Sequence, residues 1–312
     1  MAARGRIVCA TDFTARSDFA LRRAVLLAQQ TGARLTLVHA IDPRKSGRAL
    51  RGQVNRAYVQ LLSGVDRAFG ATSAAIDIAV RAGRPLDVIA RVANDSNADL
   101  VVLAAPQSRR FDAIFGTTAE RLLRTIERPV LVVHRDAHSS YRQVAMAVDL
   151  SNTSLPMIQA AARLGVLADA KTTLLHATSP PHEGMLKTVG VDEQAIDHYR
   201  HGWQEDARLR LHAMLTAAEM EIERTRILVK NESPALAIRH VLEQEQSELL
   251  TMGASRWLLI KRLLIGSVTD SLLRTAMCDV LVIPQRTYRR PASEAIGSRS
   301  AGALTMSPHT PT

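Results

Sequence analysis

The sequence has little cysteine, few aromatic residues and no long apolar run. Its two cysteines, Cys9 and Cys278, lie in or beside apolar strand patterns in different halves of the chain, which predicts buried structural thiols and no disulfide. Only 4% of the residues are aromatic and there is no recognisable binding module, which argues against nucleic-acid binding as a main role. No apolar run reaches the roughly 18–20 residues of a membrane span, and the first residues show no secretory pattern. We therefore expect a cytoplasmic protein that makes no membrane contact.

The common catalytic motifs are also missing. The sequence contains no GxxxxGK[ST] phosphate loop, no G-x-S-x-G elbow and no pair of catalytic carboxylates, so we expect no enzyme activity. Asp197, His201 and Glu205 would share one helix face, where they could hold a metal ion or form a solvated polar face. We favour the solvated face and predict no metal site.

Arginine is abundant. It supplies 35 of the 40 basic residues, and the formal net charge is +10, which favours attraction to anionic ligands. With 312 residues, of which 46% are hydrophobic, the chain is long enough to bury a substantial core in about two domains.

The chain contains an internal repeat, which sets its domain organisation. The matching segments are residues 6–14 and 143–151, 35–40 and 172–177, and 128–133 and 278–283. The repeat aligns Asp12 with Asp149, His39 with His176, and Gly116 with Gly266. We therefore predict one domain at 1–137, a second at 138–286 and a disordered basic tail at 287–312. The connector at 135–142 is short and polar, so the two domains should pack together.

Each copy alternates five apolar strand patterns with four helical patterns. Continuous Val, Leu and Ile runs cannot have one face in water, so the fold class is α/β with a parallel sheet covered on both faces. The strands are predicted at Ile7–Ala10, Leu35–Ala40, Ile76–Val80, Leu100–Leu103 and Val130–Val133, and then at Val144–Val148, Thr172–His176, Ile227–Val229, Leu249–Met252 and Val280–Ile283.

A candidate phosphate site follows the fourth strand of the second copy. Gly253 ends that strand, Arg256 comes after two further residues, and Gly266-Ser267 follows nine residues later at the start of a helical pattern. A glycine there lets a ligand approach the backbone, and a Gly-Ser step that opens a helix presents free N–H groups and a hydroxyl to an anion.

This spacing resembles the G-2x-G-9x-G-[ST] nucleotide loop of the universal stress proteins, with Arg256 where nucleotide-binding members usually carry glycine. The resemblance covers nearly all of residues 4–286 and implies the tandem, two-domain type of that family. Each domain would be a Rossmann-like five-stranded parallel sheet of strand order 3-2-1-4-5. The two would pack as a pseudo-dimer that pairs Val130–Val133 with Val280–Ile283, and a further homodimer is left open.

The resemblance also implies that the bound ligand is ATP or another adenine nucleotide, held mainly by the second copy. The residues implied there are Asp149, Ser151, Ala177, Gly253, Arg256, Gly266, Ser267, Val268 and Thr269, and those in matching places of the first copy are Asp12, Gly116 and Thr117. The first-copy loop begins Ala104-Ala105-Pro106-Gln107 and has a spacer of eight residues, so it is degenerate.

Two of these residues have a second interpretation. Asp149 could lie near the ribose or base, or it could cap the following helix, and both roles are compatible. Arg256 could clamp phosphate as a bidentate donor, or its bulk could fill the space that a glycine leaves open.

Three functions therefore compete. The first is an ATP-binding stress-response module of the universal stress protein type. The second is a stress-response interaction scaffold of the same fold that binds no nucleotide, which the absence of glycine at 104, 107 and 256 favours. The third is slow nucleotide hydrolysis or nucleotidyl transfer, for which the sequence offers no general base.

Overall fold

The computed structural model describes residues 5–42, 44, 46–69, 74–105, 122, 125–177, 183–253 and 278–284. Strands and helices alternate along both halves, as the repeat predicts. The first half contains β1 (Arg6–Ala10), α1 (Ala15–Thr31), β2 (Arg34–Ile41), α2 (Gly47–Phe69), β3 (Ile76–Ala82), α3 (Pro85–Asp95), β4 (Leu100–Ala104) and β5 (Val130–Val133).

The second half repeats this order with one additional short helix before its long one. It contains β6 (Gln143–Val148), α4 (Ser154–Arg163), β7 (Lys171–Ala177), α5 (Glu183–Thr188), α6 (Glu193–Ala217), β8 (Thr225–Lys230), α7 (Pro234–Gln244), β9 (Leu249–Gly253) and β10 (Asp279–Ile283). The helices predicted at 118–126 and from Gly266, and the tail at 287–312, lie wholly or largely outside the described residues.

The ten strands in the described part of the chain form one sheet in the order β3-β2-β1-β4-β5-β10-β9-β6-β7-β8. Read inward from either end, each half has the predicted order 3-2-1-4-5, and the strand pairs within each half are parallel. The two halves meet where β5 and β10 pair antiparallel, with Leu131 opposite Leu281. The predicted pairing of the two last strands is therefore present within one chain.

Apolar side chains cover both faces of the sheet, because successive residues of a strand point to opposite sides. In β1, Ile7 and Cys9 belong to the core beneath α1, α2, α4 and α6, whereas Val8 belongs to the core beneath α3 and α7. The first of these cores runs through both halves, so the halves share buried surface as well as a sheet.

Local sequence explains where several helices begin and end. Thr14 is the N-cap of α1 and accepts a hydrogen bond from the Ser17 amide, while Gly32 ends the helix with a φ of 66° in the left-handed region. Pro85 and Pro234 stand in the first turn of α3 and α7, where the missing N–H costs nothing. None of the helices in the described part of the chain is long and apolar enough to cross a membrane.

A buried carboxylate connects the two halves beside the β5–β10 junction. Asp279 is fully buried, and its Oδ1 accepts hydrogen bonds from the amides of His134 at 2.8 Å and Arg135 at 3.2 Å. The Tyr141 hydroxyl donates to Oδ2 at 2.6 Å. β10 is thereby bonded to the connector between the halves.

Arg23 adds a contact from the first half. Its Nε lies 3.4 Å from Asp279 Oδ2, its guanidinium carbon lies 3.7 Å from the centre of the Tyr141 ring, and its Nη1 donates to the Ser139 carbonyl at 2.9 Å. Burial, with the charge of Asp279, raises the pKa of Tyr141 well above its usual value, so the phenol stays a hydrogen-bond donor. A buried carboxylate needs these partners because an unpaired charge in the interior is strongly destabilising.

Tyr141→Phe removes one donor to Asp279 and should lower the free energy of unfolding by about 1.5–3 kcal/mol, the range for a hydrogen bond to a charged group. The measurement is urea denaturation at pH 7. Tyr58→Phe is the matched control, because Tyr58 is 47% exposed on α2 and should change stability by less than about 0.5 kcal/mol. Equal effects of the two substitutions would contradict the role given to Asp279.

Candidate functional site

Each half has a crevice position at the carboxyl ends of its central strands. In the first half β1 lies between β2 and β4, and in the second half β6 lies between β7 and β9. Ligands of open parallel sheets bind where neighbouring connections leave in opposite directions, as they do beside these two strands. Asp12 lies just beyond β1 and Asp149 just beyond β6, so the structure places both at these positions.

Asp149 organises the turn between β6 and α4. Its Oδ1 accepts hydrogen bonds from the Ser151 amide and from the Ser154 hydroxyl, both at 3.0 Å. Leu150, between Asp149 and Ser151, has a φ of 56°, which costs a non-glycine residue free energy. The carboxylate therefore holds a strained turn, and Ser151 belongs to the same turn through a 2.8 Å hydrogen bond to the Thr153 hydroxyl.

Asp12 builds the same turn in the first half. Its Oδ1 accepts from the Thr14 amide at 3.0 Å and from the Thr14 hydroxyl at 2.6 Å, and Phe13 has a φ of 63°. Burial raises the pKa of Asp12, but the hydrogen bonds from Thr14 and Ser17 outweigh burial, so its pKa lies below the usual range. The repeat thus extends from strand order to individual hydrogen bonds.

The interpretation of Asp149 as the cap of the following helix is wrong. The N-cap residues are Thr14 for α1 and Thr153 for α4, so neither aspartate occupies the cap position itself. Asp12 and Asp149 instead accept bonds within the turn that leads into each helix.

The two aligned histidines are structural in the same way. His39 Nδ1 lies 2.9 Å from the Thr11 carbonyl and His176 Nδ1 lies 2.9 Å from the Val148 carbonyl, so in each ring Nδ1 donates its proton to the carbonyl of the residue before the aspartate. Burial lowers the pKa of His176, and the Val148 hydrogen bond and the Asp149 charge offset this only in part. His176 therefore contributes a neutral ring beside the turn at pH 7.

Gly253 ends β9 close to the Asp149 turn. The register pairs Ala147 with Met252, which sets Gly253 alongside Val148, the residue before Asp149. A Cβ at Gly253 would meet nothing within 4 Å, so the backbone borders open space among the described residues. The two predicted residues thus lie on adjacent strand ends.

Ala177 ends β7 opposite Lys230 of β8 and is partly exposed at the same edge of the sheet. Arg210 of α6 also reaches this edge, since its Nη2 donates to the Leu150 carbonyl at 3.0 Å. Sequence reasoning missed Arg210, because it lies 60 residues from Leu150 and no local pattern marks it.

The remaining predicted site residues lie outside the described part of the chain. They are Arg256, Gly266, Ser267, Val268 and Thr269 in the second half, and Gly116 and Thr117 in the first.

The other candidate chemistry resolves into structural roles. Cys9 and Cys278 are free and buried, as predicted, and burial raises the pKa of each thiol to about 12, so neither is a nucleophilic thiolate at neutral pH. On α6, Asp197 pairs with Arg200 and Glu205 with Arg208. Within the described ranges, no three His, Cys, Asp or Glu side chains come together as a metal site would require.

Sequence reasoning also missed a cavity of about 220 Å³ in the first half, beside the Asp12 turn. Phe13 and His39 line one side, and Gln53, Arg56 and Gln60 of α2 line the other. The spacing of these three residues, which lie three and four apart, was a signal in the sequence, because such positions share one helix face.

The structure consists of two doubly wound α/β units joined edge to edge, and each has an aspartate turn at its switch point. This is a tandem α/β protein with one crevice in each half. The chain belongs to the universal stress protein family: the model of that family matches residues 3–134 and again 140–284. It is therefore a tandem, two-domain member, as the sequence motifs predicted.

Two solved structures that cover most of this chain agree in fold. A universal stress protein from Archaeoglobus fulgidus DSM 4304 is 16% identical, with 90% of this chain and 96% of that chain covered at a TM-score of 0.65. A protein of unknown function from Pseudomonas aeruginosa PAO1 is 18% identical, with 91% and 93% covered at a TM-score of 0.59. A universal stress protein in complex with cAMP is 24% identical, with 43% and 99% covered at a TM-score of 0.38. No curated protein matches the chain significantly.

The lowered pKa of His176 predicts a pH effect on stability. Because the unfolded chain takes up a proton near pH 6.5 and the folded ring does so only at lower pH, the free energy of unfolding should fall as pH drops below about 6.5. His176→Asn removes this group, so the free energy of unfolding should fall less steeply with pH. The two slopes should differ by less than about 1.4 kcal/mol per pH unit, the limit for one proton. Urea denaturation between pH 7.5 and pH 5.5 measures it.

His198→Asn is the control, because His198 is exposed on α6. A His176→Asn curve that runs parallel to that of the unmodified protein would show that His176 does not titrate differently on folding.

Proposed function

We propose that the protein binds an adenine nucleotide, with ATP as the first candidate, in the crevice of its second half and acts as a stress-response binding module. The observation that carries the proposal is the placement of Gly253 beside the Asp149 turn at the switch point of the second sheet half. This is the place where open parallel sheets take their ligands, and its residues match the family motif.

The residues of the second half suit the parts of a nucleotide. Gly266 and Ser267 would offer backbone N–H groups, a hydroxyl and a helix N-terminus to the phosphates, as the family motif implies, with Val268 and Thr269 in the same turn. Arg256 would add a bidentate phosphate donor. Ala177 would border the base, and Asp149 would lie near the ribose.

Charge at the crevice supports an anionic ligand. Arg210 brings a guanidinium to the Leu150 carbonyl at the rim, and the whole chain carries a formal charge of +10. A positively charged protein attracts anions and speeds their association.

We further propose that the protein holds its ligand without transforming it. The two cysteines are protonated, since the pKa of each is raised to about 12, and His176 is neutral with Nδ1 committed to a backbone carbonyl. These properties fit a sensor better than a hydrolase.

A non-binding scaffold of the same fold is the second candidate. The observation that favours it is the absence of glycine at three loop positions, 104, 107 and 256. Nucleotide-binding members usually carry glycine at position 256, the repeat aligns position 107 with position 256, and position 104 aligns with Gly253. The experiments below separate the two functions.

Equilibrium binding of labelled ATP to the purified full chain should be saturable below millimolar nucleotide. Gly266→Asp should abolish it, because a carboxylate would stand where the phosphates are proposed to bind. Gly202→Asp is the control for the same chemical change on the exposed face of α6, where a Cβ meets nothing within 4 Å. Absence of saturable binding at millimolar ATP would leave only the scaffold.

Gly253→Ala tests the contact between the ligand and the end of β9. The added methyl comes within 4 Å of none of the residues that the structure describes, so we expect folding to be preserved. If phosphate approaches the backbone there, overlap with one methyl should cost about 1–3 kcal/mol, or about 5- to 150-fold in Kd. Calorimetric titration with ATP measures it, and an unchanged Kd would remove Gly253 from the site.

A further inference from the structure

The first half contains a cavity beside the Asp12 turn, and one of its lining residues, Ala40, aligns with Ala177 in the repeat. Its volume is about 220 Å³, below the range of about 300–1,000 Å³ that holds drug-sized ligands. One wall is the end of β1 and β2, with Phe13 and His39, and the other is α2, with Gln53 and Arg56. A ligand smaller than a nucleoside triphosphate fits such a space.

One polar atom in this cavity wall has no partner in the described part of the chain. Gln53 Oε1 is buried and accepts no hydrogen bond from any residue that the structure describes, although an amide oxygen can accept two hydrogen bonds. A buried acceptor left unpaired destabilises the fold, and such an atom is explained when a ligand supplies the donor. His39 Nδ1 donates to the Thr11 carbonyl, so Nε2 is the ring nitrogen that remains for contact with a ligand.

The charges around the cavity favour a ligand with a negative group. Asp42 lines the cavity, but its carboxylate is paired with Arg44 through Nε at 3.0 Å and Nη2 at 2.7 Å. Arg56 also lines the cavity and has no carboxylate partner among the residues that the structure describes. Asp42, Arg44 and Arg56 together carry a net charge of +1. The Arg56 guanidinium can bind a carboxylate in bidentate fashion.

The aromatic side favours a planar ligand. The Phe13 and His39 rings lie with their centres 4.3 Å apart at an interplanar angle of 39°. Phe13 reaches this position through the left-handed turn that Asp12 holds, with a φ of 63°. The matching residue of the second half is Leu150, so this aromatic wall is specific to the first half.

We propose that the first-half cavity binds a small heteroaromatic acid. The ring lies against Phe13 and His39, a ring N–H donates to Gln53 Oε1, and the carboxylate pairs with Arg56. Gln53 and Arg56 lie three residues apart on one face of α2, so a ligand whose N–H and carboxylate are neighbours can reach both. This site is separate from the nucleotide crevice of the second half and does not depend on it.

The probe for this site is indole-2-carboxylate, whose ring N–H is next to its carboxylate. Calorimetric titration of the full chain should give saturable binding of one molecule per chain at millimolar Kd or below. 1-Methylindole-2-carboxylate lacks the donor and indole-2-carboxamide lacks the charge, so each should bind at least about fivefold more weakly. ATP is titrated separately, so a failure of nucleotide binding leaves the result with this probe standing.

Two variants connect binding to the cavity. Gln53→Met removes the acceptor at similar size, and Arg56→Met removes the charge, and each should weaken indole-2-carboxylate by at least about fivefold. Arg51→Met is the control, because Arg51 is an exposed arginine of the same helix that does not line the cavity. Thermal melts show that each variant folds.

Three results would overturn the proposal. They are no saturable binding of indole-2-carboxylate at about 10 mM, equal affinity for the N-methyl analogue, and equal affinity in Gln53→Met. Displacement of the probe by ATP in direct competition would also overturn it, since the cavity would then belong to a nucleotide site.

Discussion

The antiparallel pairing of β5 with β10 is the constraint on which the rest of the structure depends. It turns two five-stranded sheets into one sheet of ten and removes two exposed edges that would otherwise attract other strands. Asp279 secures this junction, because its buried carboxylate accepts bonds from the connector and lies beside Arg23 of α1. The second half supplies this buried carboxylate, and the first half has Pro129 at the aligned position.

A sheet joined in this way gives each half its own crevice at the carboxyl ends of its central strands. Asp12 and Asp149 hold matching turns, and His39 and His176 bond the same backbone carbonyl in each copy. The scaffold has therefore stayed the same while the linings have diverged. Phe13 in one copy stands where Leu150 stands in the other, so the two crevices can hold different ligands.

Much of this could be predicted from the sequence, because the informative signals were local or repeated. Apolar runs located the strands, and the repeat together with the family motif gave the strand order and the partner of β5. The roles of Asp279 and Arg210 could not be predicted, since each depends on contacts between distant residues. The cavity was also missed, because its walls come from Phe13 on a turn and Gln53 on α2, and only the fold brings them together.

The most direct measurement of the central claim is a crystal structure of the full chain grown with ATP. The account predicts nucleotide density in the second half only, between the Asp149 turn and the end of β9 at Gly253, with the Arg256 side chain at the phosphates. Density in the first-half crevice alone would contradict it. So would a second-half crevice filled by the Arg256 side chain, and the chain would then be a scaffold.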